Sequence, residues 1–369
     1  MNLTIAKDQL LAGLQSVQNI VSTRTTLPIL SNVLLKAEGN RLELTATDLD
    51  VTITCSVEAT VKKPGATTAP VKKLFGIARE LASSEIDMEV DDKNVCSVRS
   101  GSSFFKIRGL AAEEFPPKPS FKEERKVALP QEKIRGMLKK TAFAISTDES
   151  RYVLNGIFFS LKEHKLTMVA TDGRRLALVD EEIELPANCQ AEFIVPAKAV
   201  NELNRLLQDK GEVEIKFSEN QAAFTLKDEK GNATLVISKL IEGNYPNYRQ
   251  VIPGETKERV TFAREELMHA LKRAEIMTSE KQTSVRMSFE KNNLAITANS
   301  PEVGEARETL AINYKGKEMA IAFNPGYLIE PLVALTDDEV YLELIDELSP
   351  GVLKINGPFL YVVMPMRLS

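Results

Sequence analysis

The chain has 369 residues, of which 43% are hydrophobic and 27% charged, and a formal net charge of −5. That is room for one large domain, two ordinary ones or three small ones of about 120 residues each. The composition excludes a disordered chain, a collagen and a coiled-coil rod, and no apolar run approaches the roughly 20 residues of a bilayer-spanning helix.

The first predicted element is the short alternating strand Asn2-Leu3-Thr4-Ile5. It leads into a helix over Lys7 to Val21, where Leu10, Leu11, Leu14 and Val17 recur at helical spacing. A hairpin follows, turning at Glu38-Gly39-Asn40 and continuing as Leu42-Glu43-Leu44-Thr45-Ala46-Thr47-Asp48. Ala69-Pro70-Val71-Lys72-Lys73-Leu74 opens a second helix, Lys72 to Ser83, and a strand meander turns at Asp91-Asp92-Lys93-Asn94. A polar, proline-bearing stretch from Phe115 to Arg125 then reads as a linker.

The same order begins again at Lys126-Val127-Ala128-Leu129, with a helix over Gln131 to Ile145. Leu166-Thr167-Met168-Val169-Ala170-Thr171-Asp172 repeats the first hairpin 124 residues on, and Leu294-Ala295-Ile296-Thr297-Ala298-Asn299-Ser300 is a weaker copy after another 128. Pro70, Pro196 and Pro325 mark the second helices, which run from Lys198 to Lys210 and from Asn324 to Leu335 in the later copies. The third unit opens with Arg259-Val260-Thr261-Phe262 and a helix over Arg264 to Met277, after the linker Pro253 to Glu258. Three markers in one order at one period predict three units, 1–125, 126–253 and 254–369. Each reads as α+β, a sheet on one side and two helices on the other.

The six predicted helices together carry +5, leaving −10 for the rest of the chain. Such layering suits an anion facing the helices. It is equally what helices acquire because Lys and Arg are good helix formers. The overall acidity argues against a protein that grips nucleic acid with its whole surface, and leaves open a basic lining within an acidic exterior.

Little supports catalysis. There is no phosphate-cradling GxGxxG or GxxxxGK[ST], and no HExxH or GxSxG. Cys55, Cys96 and Cys189 form no CxxC pair and read as small buried hydrophobes in a reducing compartment. His164 falls in a polar turn and His269 on a helix. Asp48-Leu49-Asp50 could hold a metal, but its counterpart is Asp172-Gly173-Arg174-Arg175, so a strand-end turn is the better reading. No metal or cofactor is expected. The end of the chain, Leu360 to Ser369, is unusually apolar: Leu360 to Val363 reads as a core strand, while Met364-Pro365-Met366 breaks it and offers adaptable thioethers.

These features, with Arg24-Thr25-Thr26-Leu27-Pro28-Ile29-Leu30, Arg151-Tyr152-Val153-Leu154-Asn155-Gly156, Ala170 to Ala177 and the tail Val362 to Leu368, resemble the bacterial DNA polymerase III β subunits, the sliding clamps. The resemblance spans the whole chain. It implies three similar DNA-clamp domains per chain in a head-to-tail homodimeric ring, with helices lining the inside and sheets outside. Its implied work is non-catalytic: encircling double-stranded DNA without sequence preference and tethering the replicative polymerase for processivity. The implied partners are the clamp loader, the polymerase III alpha subunit and other proteins carrying a clamp-binding motif. Localisation would be cytoplasmic, as the N-terminus, which lacks a signal-peptide pattern, also suggests.

By the same resemblance the DNA contacts are Arg24, Lys72, Tyr152 and Lys198, with Lys281 and Arg286. The partner-peptide groove would use Leu154, Thr171, Gly173, Arg174, Arg175 and Leu176 of the second unit, with Pro246 and Val251. Val362, Val363, Met364, Pro365 and Met366 would complete it, bordered by Tyr327, Arg367 and Leu368. The dimer contact would set Phe105 and Ile107 against Ile276 and Met277, with Lys73 facing Glu305 and Glu308. Val153, Arg174 and Gln250 depart from residues common in the family, and Ser369 extends the usual end. A cytosolic protein-interaction scaffold without DNA encirclement is the alternative from another class, and an enzyme with an unrecognised site between units is a third.

Overall fold

The computed structural model describes residues 1–21, 26–119, 121, 125–186, 189–229 and 231–367. The first repeat opens with β1 (Asn2–Ala6) and α1 (Lys7–Val17). Five strands follow: β2 (Asn32–Glu38), β3 (Arg41–Thr47), β4 (Val51–Glu58), β5 (Thr60–Lys63) and β6 (Gly65–Pro70). It closes with α2 (Val71–Glu80), β7 (Glu85–Val90), β8 (Val95–Ser100) and β9 (Ser103–Arg108).

The second repeat has β10 (Lys126–Pro130), α3 (Gln131–Thr141), β11 (Gly156–Lys162), β12 (Lys165–Thr171) and β13 (Arg175–Glu182). It goes on through β14 (Ala191–Pro196), α4 (Ala197–Leu206), β15 (Glu212–Phe217), β16 (Gln221–Lys227) and β17 (Ala233–Lys239). The third has β18 (Glu258–Ala263), α5 (Arg264–Glu275), β19 (Val285–Glu290), β20 (Asn293–Ser300) and β21 (Gly304–Ala311). It ends with β22 (Met319–Phe323), α6 (Pro325–Ala334), β23 (Glu339–Leu344), β24 (Gly351–Lys354) and β25 (Phe359–Val363).

Strand alternation sets the core. Leu3 and Ile5 of β1 are buried while Thr4 between them is not, and α1 buries Leu10, Gly13, Leu14 and Val17 along one stripe. Truncating a fully buried leucine such as Leu14 to alanine costs about 2–5 kcal/mol. Between the two helices of each repeat the expected hairpin is in fact a set of four paired strands, β2-β3-β4 with β6 and their counterparts. In the first repeat the third strand of the set hides behind a turn that lacks glycine: Leu49 takes φ +78°, a conformation that costs a branched side chain and gives no composition signal. The helices are also shorter than their periodicity suggests. Residues Gln18–Ile20 and Ala142–Ala144 tighten into 3₁₀ turns after α1 and α3. Asp209 and Lys210 fall beyond α4, and since their charges cancel, the helices still sum to +5.

The repeats are not the compact units. One unit comprises Met1–Arg135, Pro186–Cys189 and Lys198–Leu240; the other comprises Gly136–Leu185, Gln190–Ala197 and Ile241–Ser369. The reason is sheet continuity. In the first unit β4 pairs antiparallel with β17, Ile53 opposite Val236, so strands of two repeats make one sheet in the order β10-β15-β16-β17-β4-β3-β2-β6. In the second, β13 pairs with β25, Ala177 opposite Tyr361, giving β14-β11-β12-β13-β25-β24-β23-β18. The first unit also holds the sheet β5-β1-β7-β8-β9 and the second holds β21-β20-β19-β22.

All three cysteines are buried, and burial pushes the Cys55 thiol up to about 12 and that of Cys96 up to about 11. Thiolate is the reactive form. Iodoacetamide at pH 8 should therefore leave the native protein unlabelled over a period in which the urea-unfolded chain takes up three labels, counted by intact mass. Labelling of native Cys55 would contradict this packing.

Candidate functional site

Within the second unit, three segments meet at the end of one sheet: the turn between β12 and β13, the end of β25, and residues 245–252. The turn is built by its own side chains. Asp172 Oδ1 accepts the N–H groups of Arg174 (2.9 Å) and Arg175 (3.1 Å), and Thr171 Oγ1 donates to the Arg175 carbonyl at 2.5 Å while accepting Gly173 N–H at 3.1 Å. Gly173 sits at φ +85°, a backbone conformation that favours glycine, and a Cβ there would also push the mobile end of the Arg151 side chain aside.

Arg175 is the deepest charged group here, 8% exposed. Its Nε donates to Asp172 Oδ2 at 3.0 Å, its Nη2 donates to the Phe143 carbonyl at 2.7 Å, and its Nη1 pairs with Glu330 of α6. The guanidinium lies 4.4 Å from the Tyr327 ring centroid, and Tyr361 donates to the Tyr327 carbonyl at 2.6 Å. Burial works against its charge, but Tyr361, Glu330 and Asp172 outweigh that and hold the guanidinium above its ordinary value. Arg174 is exposed, and its hydrogen bond to Tyr327 raises its pKa.

The apolar floor is Val169, Leu176 and Val362, with Leu176 directly opposite Val362 in the sheet. Leu154, 6% exposed, ends the 3₁₀ segment Glu149–Leu154 leading into β11, and Val363 is buried. One side is the tail: Met364 N–H donates to the Arg174 carbonyl (2.9 Å) and Met366 N–H to the Ala322 carbonyl (2.8 Å), and the residues Met364 and Met366 are 44% and 37% exposed about Pro365. The other side is residues 245–252. Tyr245 stacks on Phe158 at 4.9 Å, and Tyr248 and Ile252 pack on the floor, so Pro246 and Val251 are presented outward. Arg367 is exposed; Leu368 lies outside the described residues. Apolar walls with exposed thioethers and a few oriented polar groups suit a short peptide with apolar anchors. Tyr245, Phe158 and Glu330 join the site only in the folded chain, although Tyr245-Pro246-Asn247-Tyr248 is an aromatic signal inside a polar stretch.

Of the expected DNA contacts, Arg24 lies outside the described residues. Lys72 and Lys198 occupy the second positions of α2 and α4 and are exposed, as is Tyr152 at 58%. Lys281 is paired with Glu302 at 2.6 Å. Arg286 alternates with buried Val285 and Met287 on β19, which places it on the sheet face away from the packed α5. Of the expected dimer contacts, Phe105 (39%) and Ile276 (71%) are exposed, as are Lys73 and Glu305, Met277 is half-buried, and Ile107 is buried in its own sheet. Glu308 is held by Arg273 at 2.6 Å, which lowers its pKa. Phe104 (50%) and Val303 (48%) join the exposed apolar residues near β9 and β21.

Three copies of one α+β unit, with sheets that run through the repeat boundaries, define the chain as a protein of the DNA-clamp class. The DNA polymerase III beta subunit N-terminal domain matches residues 1–119, the central domain 128–247 and the C-terminal domain 249–367, and the chain belongs to that family. The beta sliding clamp of Proteus mirabilis is 38% identical over 100% of both chains, and that of Chlamydia pneumoniae 34% identical over 100% of this chain and 99% of its own. Crystal structures of the DNA polymerase III subunit beta sliding clamps of Bartonella birtlesii and Pseudomonas aeruginosa, each bound to griselimycin, superpose with TM-scores of 0.94 at 35% identity and full coverage of both chains. The chain is a DNA sliding clamp, and its family acts as a non-catalytic processivity factor of replication. No helix among the described residues is long and apolar enough to cross a membrane.

Proposed function

We propose that two copies of this chain close head to tail into a ring around duplex DNA and tether the polymerase III alpha subunit and other motif-bearing proteins through the groove at Leu176, Val362 and Met364. The observation that carries the reading is a repeated junction. The strand pairs β4–β17 and β13–β25 join each repeat to the next, and the corresponding strands left over are β21 and β9, each an outer strand of its sheet. Unpaired edges invite association, and a second copy supplies the missing partner to both while closing the assembly. Domain limits at 125 and 253 place one such junction at each internal boundary.

In that assembly Lys72, Lys198, Tyr152 and Arg24 would meet phosphates, and Arg286 and Lys281 contribute less because of the placements above. Retention then comes from topology, and a mildly basic lining is enough. The groove is the proposed seat of the clamp loader's and polymerases' linear motifs, and of a griselimycin-like ligand. Two measurements test this. Scattering with absolute mass should give about 82 kDa, twice the 40.9 kDa chain, and a hollow distance distribution. Protein loaded on closed circular DNA should resist salt that strips ordinary non-specific binders, and should leave once the circle is cut. Equal loss from circle and linear DNA would refute encirclement.

A further inference from the structure

The turn after β3 and the turn after β12 are built alike. Asp48 Oδ1 accepts the N–H groups of Asp50 (3.1 Å) and Val51 (2.8 Å), as Asp172 Oδ1 accepts those of Arg174 and Arg175. Lys239 N–H donates to the Asp50 carbonyl at 2.9 Å, matching Met364 N–H on Arg174. The difference lies in the second carboxylate oxygen. Asp172 Oδ2 takes Arg175 Nε, but Val51 stands at that position in the first repeat, and Asp48 Oδ2 instead pairs with Lys198 Nζ of α4. Lys72 is the counterpart of Lys198: it follows Pro70 by two residues, as Lys198 follows Pro196. Lys72 is exposed and makes no ion pair among the described residues.

We infer that Asp48 is a phosphate surrogate, which holds Lys198 in the DNA-free clamp and must be displaced before Lys198 reaches the DNA backbone. The inference rests on the encirclement reading, in which α2 and α4 face DNA. The geometry favours exchange over a fixed pair. Asp48 is only 13% exposed and anchored by its turn, whereas the Lys198 side chain is 48% exposed and on a flexible stem. A pair at that exposure is weak, so a phosphate can compete for the ammonium. After exchange, the anchored Asp48 carboxylate goes on competing with the phosphate for the ammonium. Two lysines at equivalent positions thereby grip DNA unequally, and the ring's hold is trimmed at one contact.

The test is fluorescence anisotropy of a short linear duplex with Asp48→Asn, Asp48→Ser, Lys72→Ala, Lys198→Ala, Asp48→Asn/Lys198→Ala and Asp50→Asn across a salt series. Asn and Ser keep an oxygen that can cap the turn, and Asp50→Asn makes the same charge change beside it. Asp48→Asn and Asp48→Ser should tighten binding severalfold at low salt and steepen log K against log[salt] by about 0.9, one added phosphate contact. Lys72→Ala should flatten the slope by about as much, and Lys198→Ala by less. The double variant should bind like Lys198→Ala, and Asp50→Asn like the native chain. If both Asp48 variants bind as the native chain does while Lys72→Ala weakens binding, the surrogate is wrong and DNA contact by this face stands. If Lys72→Ala and Lys198→Ala both leave binding unchanged, the DNA-facing reading fails and the surrogate with it.

Discussion

Replacing Arg175 by alanine is expected to destabilise the second unit by about 3 kcal/mol and to abolish binding of partner peptides. The first figure follows from burial: removing one member of a buried, hydrogen-bonded charge set leaves the others desolvated, at a cost of about 3–5 kcal/mol. The lower end applies because Glu330 is 44% exposed and can turn to water. Asp172 Oδ2 and the Phe143 carbonyl cannot do so as easily, and the Tyr327 ring loses its cation. The second effect follows from position. Arg175 is followed by Leu176, whose partner across the sheet is Val362, and Arg174 before it receives Met364 N–H, so loosening Arg175 disturbs the floor and one side of the groove together. Lysine should recover only part of the loss, having one donor group where Arg175 uses three nitrogens. Urea unfolding monitored by tyrosine fluorescence, since all seven tyrosines lie in the second unit, with calorimetric titration of a motif peptide, would check both effects. An Arg175→Ala chain that lost under about 1 kcal/mol and still bound peptide would show that the guanidinium network is incidental.

Why that arginine could not be assigned its depth from sequence is instructive. Its partners are three residues away at Asp172, 32 away at Phe143 and 155 away at Glu330. Only the first lies within reach of a local pattern. The triplication, in contrast, was legible because strand alternation, helical spacing and prolines recur at one period, each a local signal. Arg286 carries a local signal of its own. Its alternation with Val285, Met287 and Phe289 assigns it to the opposite sheet face from the core, which separates it from a helix-lined surface. Residues 245–252 offer no such local signal of where they pack: Tyr245 stacks on Phe158, 87 residues earlier in the chain and beyond the reach of any short pattern.

The division into compact units also escaped the repeat. Three copies of a sequence suggest three separate bodies, yet hydrogen bonding between β4 and β17, and between β13 and β25, couples strands of successive repeats more tightly than the repeat period implies. Such pairing depends on which edges remain open after each repeat has folded, a property of topology rather than of any window of residues.

Reversing one charge on either leftover edge should dissociate the dimer, and reversing both should restore it. The register follows from the two junctions already closed. Thr47 faces Thr52, Thr171 faces Leu176 and Asn299 faces Glu305 across the same turn, so Thr52, Leu176 and Glu305 are equivalent. On the other edge, Ala222 faces Phe217 and Ser238, while Cys96 faces Val90 and Ile107, so Ile107 corresponds to Ser238 and its neighbour Lys106 to Ile237. Thr52 pairs with Ile237 and Leu176 with Val362 inside the chain. Between copies, therefore, Glu305 should stand opposite Lys106, and Ala306 opposite Phe105. Opposite charges directly across a sheet contribute roughly 0.2–1 kcal/mol and like charges oppose by similar amounts. Counting both ring interfaces, Glu305→Lys or Lys106→Glu should weaken the dimer by about 1–4 kcal/mol, about fivefold to a thousandfold in Kd. Sedimentation over a concentration series should show each single variant shifting toward the 40.9 kDa chain and the double variant returning toward twice that mass. If the double variant proved no tighter than the singles, the strands would pair in another register. If Glu305→Lys were as tight as the native dimer, β21 would not be the edge that closes the ring.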